Sequence, residues 1–384
     1  MSRRVFILGS TGSIGQSSVE IITHLRNRDG EGSWPVIGLA AGTNCRLLKE
    51  QAALLKVDSV SVEVATEIGV TNQYKTSVEL IQKHAQRGDI IIAAIVGFAG
   101  IAPVITAIER GCDIALANKE SLVAGGKVVM DAAAYSGVKL LPVDSEHSAI
   151  FQALHESPEK EIKKIILTAS GGSLRGFSTD KIQNATVNEV LQHPTWNMGK
   201  KVTVDSASLM NKTLELIEAH WLFGVEANRL EAIIHPQSII HGMVEFVDGS
   251  VIAQLSPPDM RLPIQYALTW PNRVAGCNTA IDWNTLASLE FENIDVAAFP
   301  SIPLAYHVIE RGGTAGAILN AANEVVVEAF LQEKLPFGAM VAIVTEVLDR
   351  MPINSMQDLN AIIAADEEAR VVTKQIVSSY KVNT

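Results

Sequence analysis

The stretch VFILGSTGSIGQSS, residues 5 to 18, limits most sharply what this chain can become. A β-type run passes at once into Gly9, Gly12 and Gly15, spaced G-x-x-G-x-x-G, and then into a helix-type segment. This is a variant of the dinucleotide fingerprint. Glycines let a backbone approach a pyrophosphate, and the helix start behind them presents N–H groups and positive dipole. Thr11 and Ser13 add hydroxyl donors. The same rhythm continues to residue 143, with candidate strands at 5–9, 36–40, 59–62, 89–96, 113–117 and 138–143 separated by segments of helical spacing. Such alternation predicts an α/β fold, a doubly wound parallel sheet covered by helices on both faces. Pro142 in the last run predicts an edge or a strand end.

The second strand decides between dinucleotides. An NAD site places Asp or Glu near the end of that strand for the ribose 2′-hydroxyl. Here GLAAGTNCR offers no acid, and Arg46 follows, so NADPH is expected.

After residue 150 the rhythm changes. IKKIILT (162–168) reads as a strand leading into the Gly/Ser loop ASGGS, and VEFVDGSVIAQLS (244–256) as a hairpin turning at Asp248-Gly249. From about 300 the pattern is helical, punctuated by glycine and proline. The expected divisions are 1–143, a mixed α+β region 144–271, a linker 272–299 and a helical bundle 300–384.

Composition narrows the function classes. A chain of 384 residues with 47% hydrophobic content can bury a sizeable core, and its length fits two or three domains. Apolar runs such as 90–100 fall short of the roughly 20 residues of a membrane helix. The net charge of −11 argues against a nucleic-acid binder. A local basic pocket for a phosphorylated metabolite is compatible with it. Cys45, Cys112 and Cys277 are widely spaced, with neither a disulfide framework nor a zinc pattern, which suits a reducing compartment. MSRRVFILGS enters a strand with no signal peptide ahead of it, and a cytoplasmic protein is expected.

Two further stretches carry chemistry. In LLPVDSEHSAIFQ, Asp144 and Glu146 stand one residue apart in apolar surroundings, a costly arrangement for buried carboxylates. In LMNKTLELIEAHWLFG, Met210, Leu214, Ile217 and Trp221 form a core stripe, with Asn211, Lys212 and Glu215 expected on the opposite side. Upstream, KKVTVDSAS leads Ser206 and Ser208 into what reads as the first turn of that helix, a reasonable phosphate site, with Ser170 of ASGGS as a further donor. Glu215 could complete an oxygen-ligand set with Asp144 and Glu146. A hard cation, magnesium or manganese, suits it, since no Cys/His cluster accompanies the acids. QHPTWNMGKK (192–201) sets Trp196 and Met198 between Pro194 and Gly199, as a loop packed on the core or a lid. His193 and His241, taken singly, read as structural.

Together GSTGSIG, ANKESLV, PVDSEHSAIFQ, TASGG, HPTWNMGKKVTVDSASLMNKTLELIEAHWLF and IHPQSIIHGMVEF strongly resemble the 1-deoxy-D-xylulose 5-phosphate reductoisomerases, in order along nearly the whole chain. The resemblance implies a Rossmann-like NADPH domain, an α+β catalytic domain, a linker, a C-terminal helical bundle and a homodimer. It implies NADPH contacts from Thr11, Gly12, Ser13 and Ile14 at the pyrophosphate, and from Gly42, Asn44, Asn118, Glu120 and Gly199. It further implies Asp144, Glu146 and Glu215 as ligands of Mg2+ or Mn2+. Lys119, Ser145, Glu146, Ser170, His193, Ser206, Asn211, Lys212 and Glu215 correspond to contacts with a small phosphorylated sugar. Trp196 and Met198 correspond to a flap, and His241 lies near the site. Lys119 and His193, with the three acids, form the implied catalytic set. One departure is Thr43, where some members carry Lys; any pairing with the 2′-phosphate then falls to Arg46 or to nothing. The rival enzyme reading is a metal-free NADPH-dependent dehydrogenase of a phosphorylated semialdehyde, which typically uses a Cys nucleophile. No cysteine here stands in a motif that suggests one. A non-catalytic NADPH-binding regulator has no use for three acids and a phosphate-type helix start.

Overall fold

The computed structural model describes residues 3–380 apart from positions 65, 156 and 357. The chain forms two compact units. One comprises the stretch ending at Ser121, Val129–Ser148 and Asp259–Ala280; the other comprises Leu122–Val128, Ala149–Pro258 and everything from Ile281.

The first unit is built on strands β1 (Val5–Leu8), β2 (Val36–Ala41), β3 (Ser59–Val62), β4 (Asn72–Tyr74), β5 (Ile90–Ala93), β6 (Asp113–Leu116) and β7 (Leu140–Pro142). All seven run parallel in the order β4-β3-β2-β1-β5-β6-β7. Every residue of β1, β3 and β5 is buried, as a parallel sheet with two covered faces requires. The chain winds outward through β4 and then restarts at β5 on the other side of β1. That reversal lies between β1 and β5, and crevices form beyond strand C-termini at such a point. Gly9 follows β1 there with φ +82, and a Cβ on it would strike the Ala94 carbonyl. The doubly wound expectation therefore holds, and Pro142 does close an edge strand. The sequence reading lacked β4, whose half-exposed Asn-Gln-Tyr carries no apolar alternation. The helix Arg261–Thr269 also packs here, against Ser13–Asp29, and Lys139 lies 3.7 Å from the ring centre of Trp270.

The second unit holds β8 (Ile162–Ala169), β9 (Leu230–Ile234), β10 (Ile240–Phe246) and β11 (Val251–Leu255), ordered β11-β10-β8-β9. The pair β8–β9 is parallel; β10 is antiparallel to both β8 and β11. The hairpin turns at Asp248-Gly249 as expected, with Gly249 at φ +88. Helices Ile302–Arg311, Ala315–Leu331, Met340–Arg350 and Leu359–Ser379 follow. Ala315–Leu331 is buried along nearly all of its length and packs against the three others. A helix buried on nearly every side belongs at the centre of a bundle. Arg370 ties this centre to the last helix, reaching Glu324 and Asp366 at 2.6 Å each. Among the described residues no helix is long and apolar enough to cross a membrane.

Candidate functional site

In the first unit the glycine loop is tied to the sheet by its backbone. Gly9 and Ser10 both donate to the Ala40 carbonyl, at 2.9 and 2.8 Å, and Gly12 donates back to Gly9 at 3.0 Å. The loop thus hangs from the ends of β1 and β2. Gly12 is the N-cap of Ser13–Asp29 and no side chain caps it, so the first-turn N–H groups face outward with the helix dipole behind them. Thr11, Gly12, Ser13 and Ile14 are all exposed or half-exposed there. Gly15 is buried, and a Cβ on it would collide with the backbone of Gly9 and Ser10. Beyond β2, Asn44 caps the helix Cys45–Leu55 by accepting from Leu47 N–H at 3.2 Å. Gly42 is half-exposed, and Arg46 is open to solvent beside Glu50.

The acid pair sits at the C-terminal end of β7. Asp144 immediately precedes the helix Ser145–Leu154, whose first turn carries Glu146. Lys119 forms an ion pair with Asp144, and Ser145 Oγ donates to Glu146 at 2.5 Å. Neighbouring β6 delivers Asn118, Lys119 and Glu120, all buried. The Asn118 amide donates to the carbonyls of Ile95 at 2.7 Å and Gly97 at 3.0 Å and to Glu120 at 3.0 Å. Asn118 therefore stitches the ends of β5 and β6 together.

In the second unit β8 ends in Ala169 and the loop from Ser170 to Ser173. Gly171 and Gly172 both take positive φ, and a Cβ on Gly172 would strike the backbone of Ser206 and Ala207. Ser170 Oγ accepts from Gly172 N–H at 3.1 Å and meets His193 Nε2 at 2.9 Å. His193 Nδ1 accepts from the N–H groups of Thr195 at 3.1 Å and Trp196 at 2.9 Å. Its single ring proton therefore belongs on Nε2, donating to Ser170. With both lone pairs of that hydroxyl taken, its proton is left to donate to an anion.

One expectation needs correction. Ser206 and Ser208 do not begin the helix that carries Glu215. Residues Lys200–Ala207 form their own helix, capped by Gly199, with Ser206 near its C-terminal end and Ser208 as its C-cap. Leu209 turns the chain at φ +56 before the helix Met210–Phe223 begins. No proline or glycine marks that break; it rests on one left-handed leucine, a conformation few bulky residues adopt.

On the helix Met210–Phe223 the side opposite the apolar stripe is largely withdrawn from water. Met210, Leu214 and Ile217 are buried, but so are Lys212 and Glu215, with relative exposures of 3% and 1%. Lys212 pairs with Glu215, and Asn211 donates to the same carboxylate. Removing two charges from water is repaid only in part by their attraction, so burial of this pair argues for use rather than stability. Asp205, at 1% exposure, accepts from Asn323 at 2.9 Å and pairs with Lys201 at 3.1 Å. The sequence reading missed this anchor of the Ser206 helix; Asn323 lies 118 positions away and carries no local signal.

Within the segment from His193 to Gly199, Trp196 lies near β10. The Trp196 and His241 rings lie 6.1 Å apart by centroid. Burial and the nearby Lys212 charge lower the His241 pKa to about 4, against a hydrogen bond to the Ser256 carbonyl that raises it. His193 is lowered from its ordinary 6.5 by burial. A depressed histidine is neutral when folded, so its contacts are complete above 6.5 and are lost as pH falls through the lowered value. Protonated Nδ1 cannot accept from Thr195 and Trp196. On acidification from about pH 7 to 4.5, the 19F resonance of fluorotryptophan at position 196 is therefore expected to shift below about 6.5, near the reference histidine value. A flat profile would show that His193 does not hold this loop.

Comparison with known proteins agrees with the resemblance. Family models match at residues 5–126 (1-deoxy-D-xylulose 5-phosphate reductoisomerase), 140–223 (its C-terminal domain) and 255–372 (DXP reductoisomerase C-terminal domain). The 1-deoxy-D-xylulose 5-phosphate reductoisomerase of Pelotomaculum thermopropionicum is 44% identical, covering 98% of both chains. That of Symbiobacterium thermophilum is 46% identical over 98% of this chain and 99% of its own. A DOX-P reductoisomerase crystal structure in complex with NADPH, fosmidomycin and magnesium superposes with a TM-score of 0.91 at 35% identity, covering 98% of each chain. The Zymomonas mobilis enzyme in complex with NADPH gives a TM-score of 0.90 at 37% identity, over 99% of this chain and 100% of that one.

Proposed function

Because this chain belongs to the 1-deoxy-D-xylulose 5-phosphate reductoisomerase family, we propose that it converts 1-deoxy-D-xylulose 5-phosphate to 2-C-methyl-D-erythritol 4-phosphate, using NADPH and Mg2+ or Mn2+. The observation that carries this reading is the buried Lys212–Glu215 pair, with the half-buried Asn211 on the same carboxylate, a desolvated charge arrangement that a purely structural helix has no reason to keep. Thr11, Gly12, Ser13 and Ile14 hold the pyrophosphate of NADPH, with Gly42, Asn44, Asn118, Glu120 and Gly199 as further contacts. Asp144, Glu146 and Glu215 hold the cation. Their donor set is all carboxylate oxygen, which fits a hard divalent ion, and lysines balance the charge of Asp144 and Glu215. The cation and NADPH supply, when bound, Lewis-acid stabilisation of charge on substrate oxygens and a hydride.

The chain's own groups do the rest. Ser170, Ser206, Asn211 and Lys212 bind the phosphate, and Ser145, Lys119 and His193 orient the substrate. The phosphate is remote from the reacting carbons, so its binding energy can draw Trp196 and Met198 down as a flap and exclude water. In functional terms 1–143 serves the cofactor, 144–271 the chemistry, 272–299 the link and 300–384 the support of the Ser206 helix through Asn323. A homodimer formed through β11, an edge strand with exposed Val251 and Ile252, agrees with this reading. A cytoplasmic location agrees with three free cysteines. Against the dehydrogenase alternative, burial pushes the Cys112 thiol up to about 12, which removes this one of the three cysteines as a nucleophile.

The test is NADPH oxidation by the purified protein with 1-deoxy-D-xylulose 5-phosphate and Mg2+ or Mn2+. Absence of turnover with both metals would remove the assignment, and a monomer mass by light scattering would remove the dimer.

A further inference from the structure

The glycine loop is braced from below by a residue that the fingerprint does not contain. Gln51 lies on the helix Cys45–Leu55 and is 4% exposed. Its Nε2 donates to the Ser10 carbonyl at 2.8 Å, across 41 positions of sequence. We propose that Gln51 is a positioning residue for pyrophosphate binding, one that aims the Thr11 N–H at the dinucleotide. The inference rests on the NADPH reading above.

A trans peptide unit is planar, with its C=O and N–H pointing in opposite directions. The Ser10 N–H is already fixed toward the Ala40 carbonyl, at 2.8 Å. Gln51 fixes the Ser10 carbonyl inward, and the rigid plane then turns the Thr11 N–H outward, on the side where Gly12 and Ser13 are exposed. Loop glycines permit many orientations of this unit; the glutamine selects one, so the ordering entropy is met in the free protein rather than on binding. Two buried polar atoms beside it, Gln51 Oε1 and Ser10 Oγ, make no hydrogen bond. Orphaned atoms of this kind destabilise a fold, so stability alone does not account for a glutamine here. The same helix begins at Asn44, so Gln51 also couples the glycine loop to the loop expected to hold the adenosine end.

The test compares the full-length protein with Gln51→Glu, which keeps the shape but presents an acceptor to an acceptor, and Gln51→Met, which keeps the volume. NADPH KM and direct NADPH Kd are expected to rise about tenfold with kcat and the sugar-phosphate KM within about twofold, the signature of lost ground-state binding. A fall in thermal stability with unchanged NADPH KM and Kd would make Gln51 merely structural and overturn the proposal. In the unmodified protein, the Gln51 side-chain amide protons should be slow to exchange both free and with NADPH bound; fast exchange in the bound state would also overturn it. Should the unmodified protein bind no NADPH, the functional reading fails instead, and the two failures are distinct.

Discussion

Glu215→Gln is expected to lower kcat by about a hundredfold or more, since a carboxylate that holds a cation contributes several kcal/mol of charge stabilisation. The amide keeps the shape of the side chain and can still accept from Asn211, but it cannot ligate a hard ion comparably. Lys212 loses its carboxylate partner, so the melting temperature should fall by several degrees while unfolding stays cooperative. Calorimetric titration with Mn2+ separates the two effects. Weakened Mn2+ affinity with intact secondary structure supports Glu215 as a ligand. Unchanged affinity and wild-type turnover at limiting metal would take Glu215 out of the ligand set.

The second large effect concerns stability. A Cβ on Gly316, in the central helix Ala315–Leu331, would collide with the backbone carbonyl of Val123. A Cβ on Gly126, one turn further along the Val123 helix, would first meet the Trp221 side chain. Backbone cannot step aside without moving a helix, whereas an indole can turn. Gly316→Ala should therefore destabilise by about 3 kcal/mol and Gly126→Ala by less, because overpacking is relieved only where a neighbour can yield. Denaturant midpoints at constant m-value measure both. Equal midpoints for the two variants would show that the Gly316 approach is not tight.

How far the sequence could be read depended on the range of the interaction. The glycine loop and the Asp248-Gly249 hairpin were legible because their glycines answer to local backbone sterics. The parallel sheet was legible because strands covered on both faces must be continuously apolar. The strand β4 and the break at Leu209 carry no such mark, and propensity could not place them. In the helix Met210–Phe223 periodicity separated the apolar stripe from Asn211, Lys212 and Glu215, but spacing carries no measure of burial, and the structure buries Lys212 and Glu215.

Residue type alone therefore determined the chemistry on offer: glycines for a phosphate, three carboxylates for a hard cation, hydroxyls and lysines for an anion. The tertiary structure decided which of these are desolvated and paired. It made Lys212 and Glu215 a buried pair, left the Ser170 hydroxyl proton as a donor by occupying both its lone pairs, and hung Asp205 on Asn323 and the Ser10 carbonyl on Gln51. Burial and hydrogen bonding between residues tens of positions apart depend on how helices and strands pack, and that packing leaves no periodic trace in the sequence.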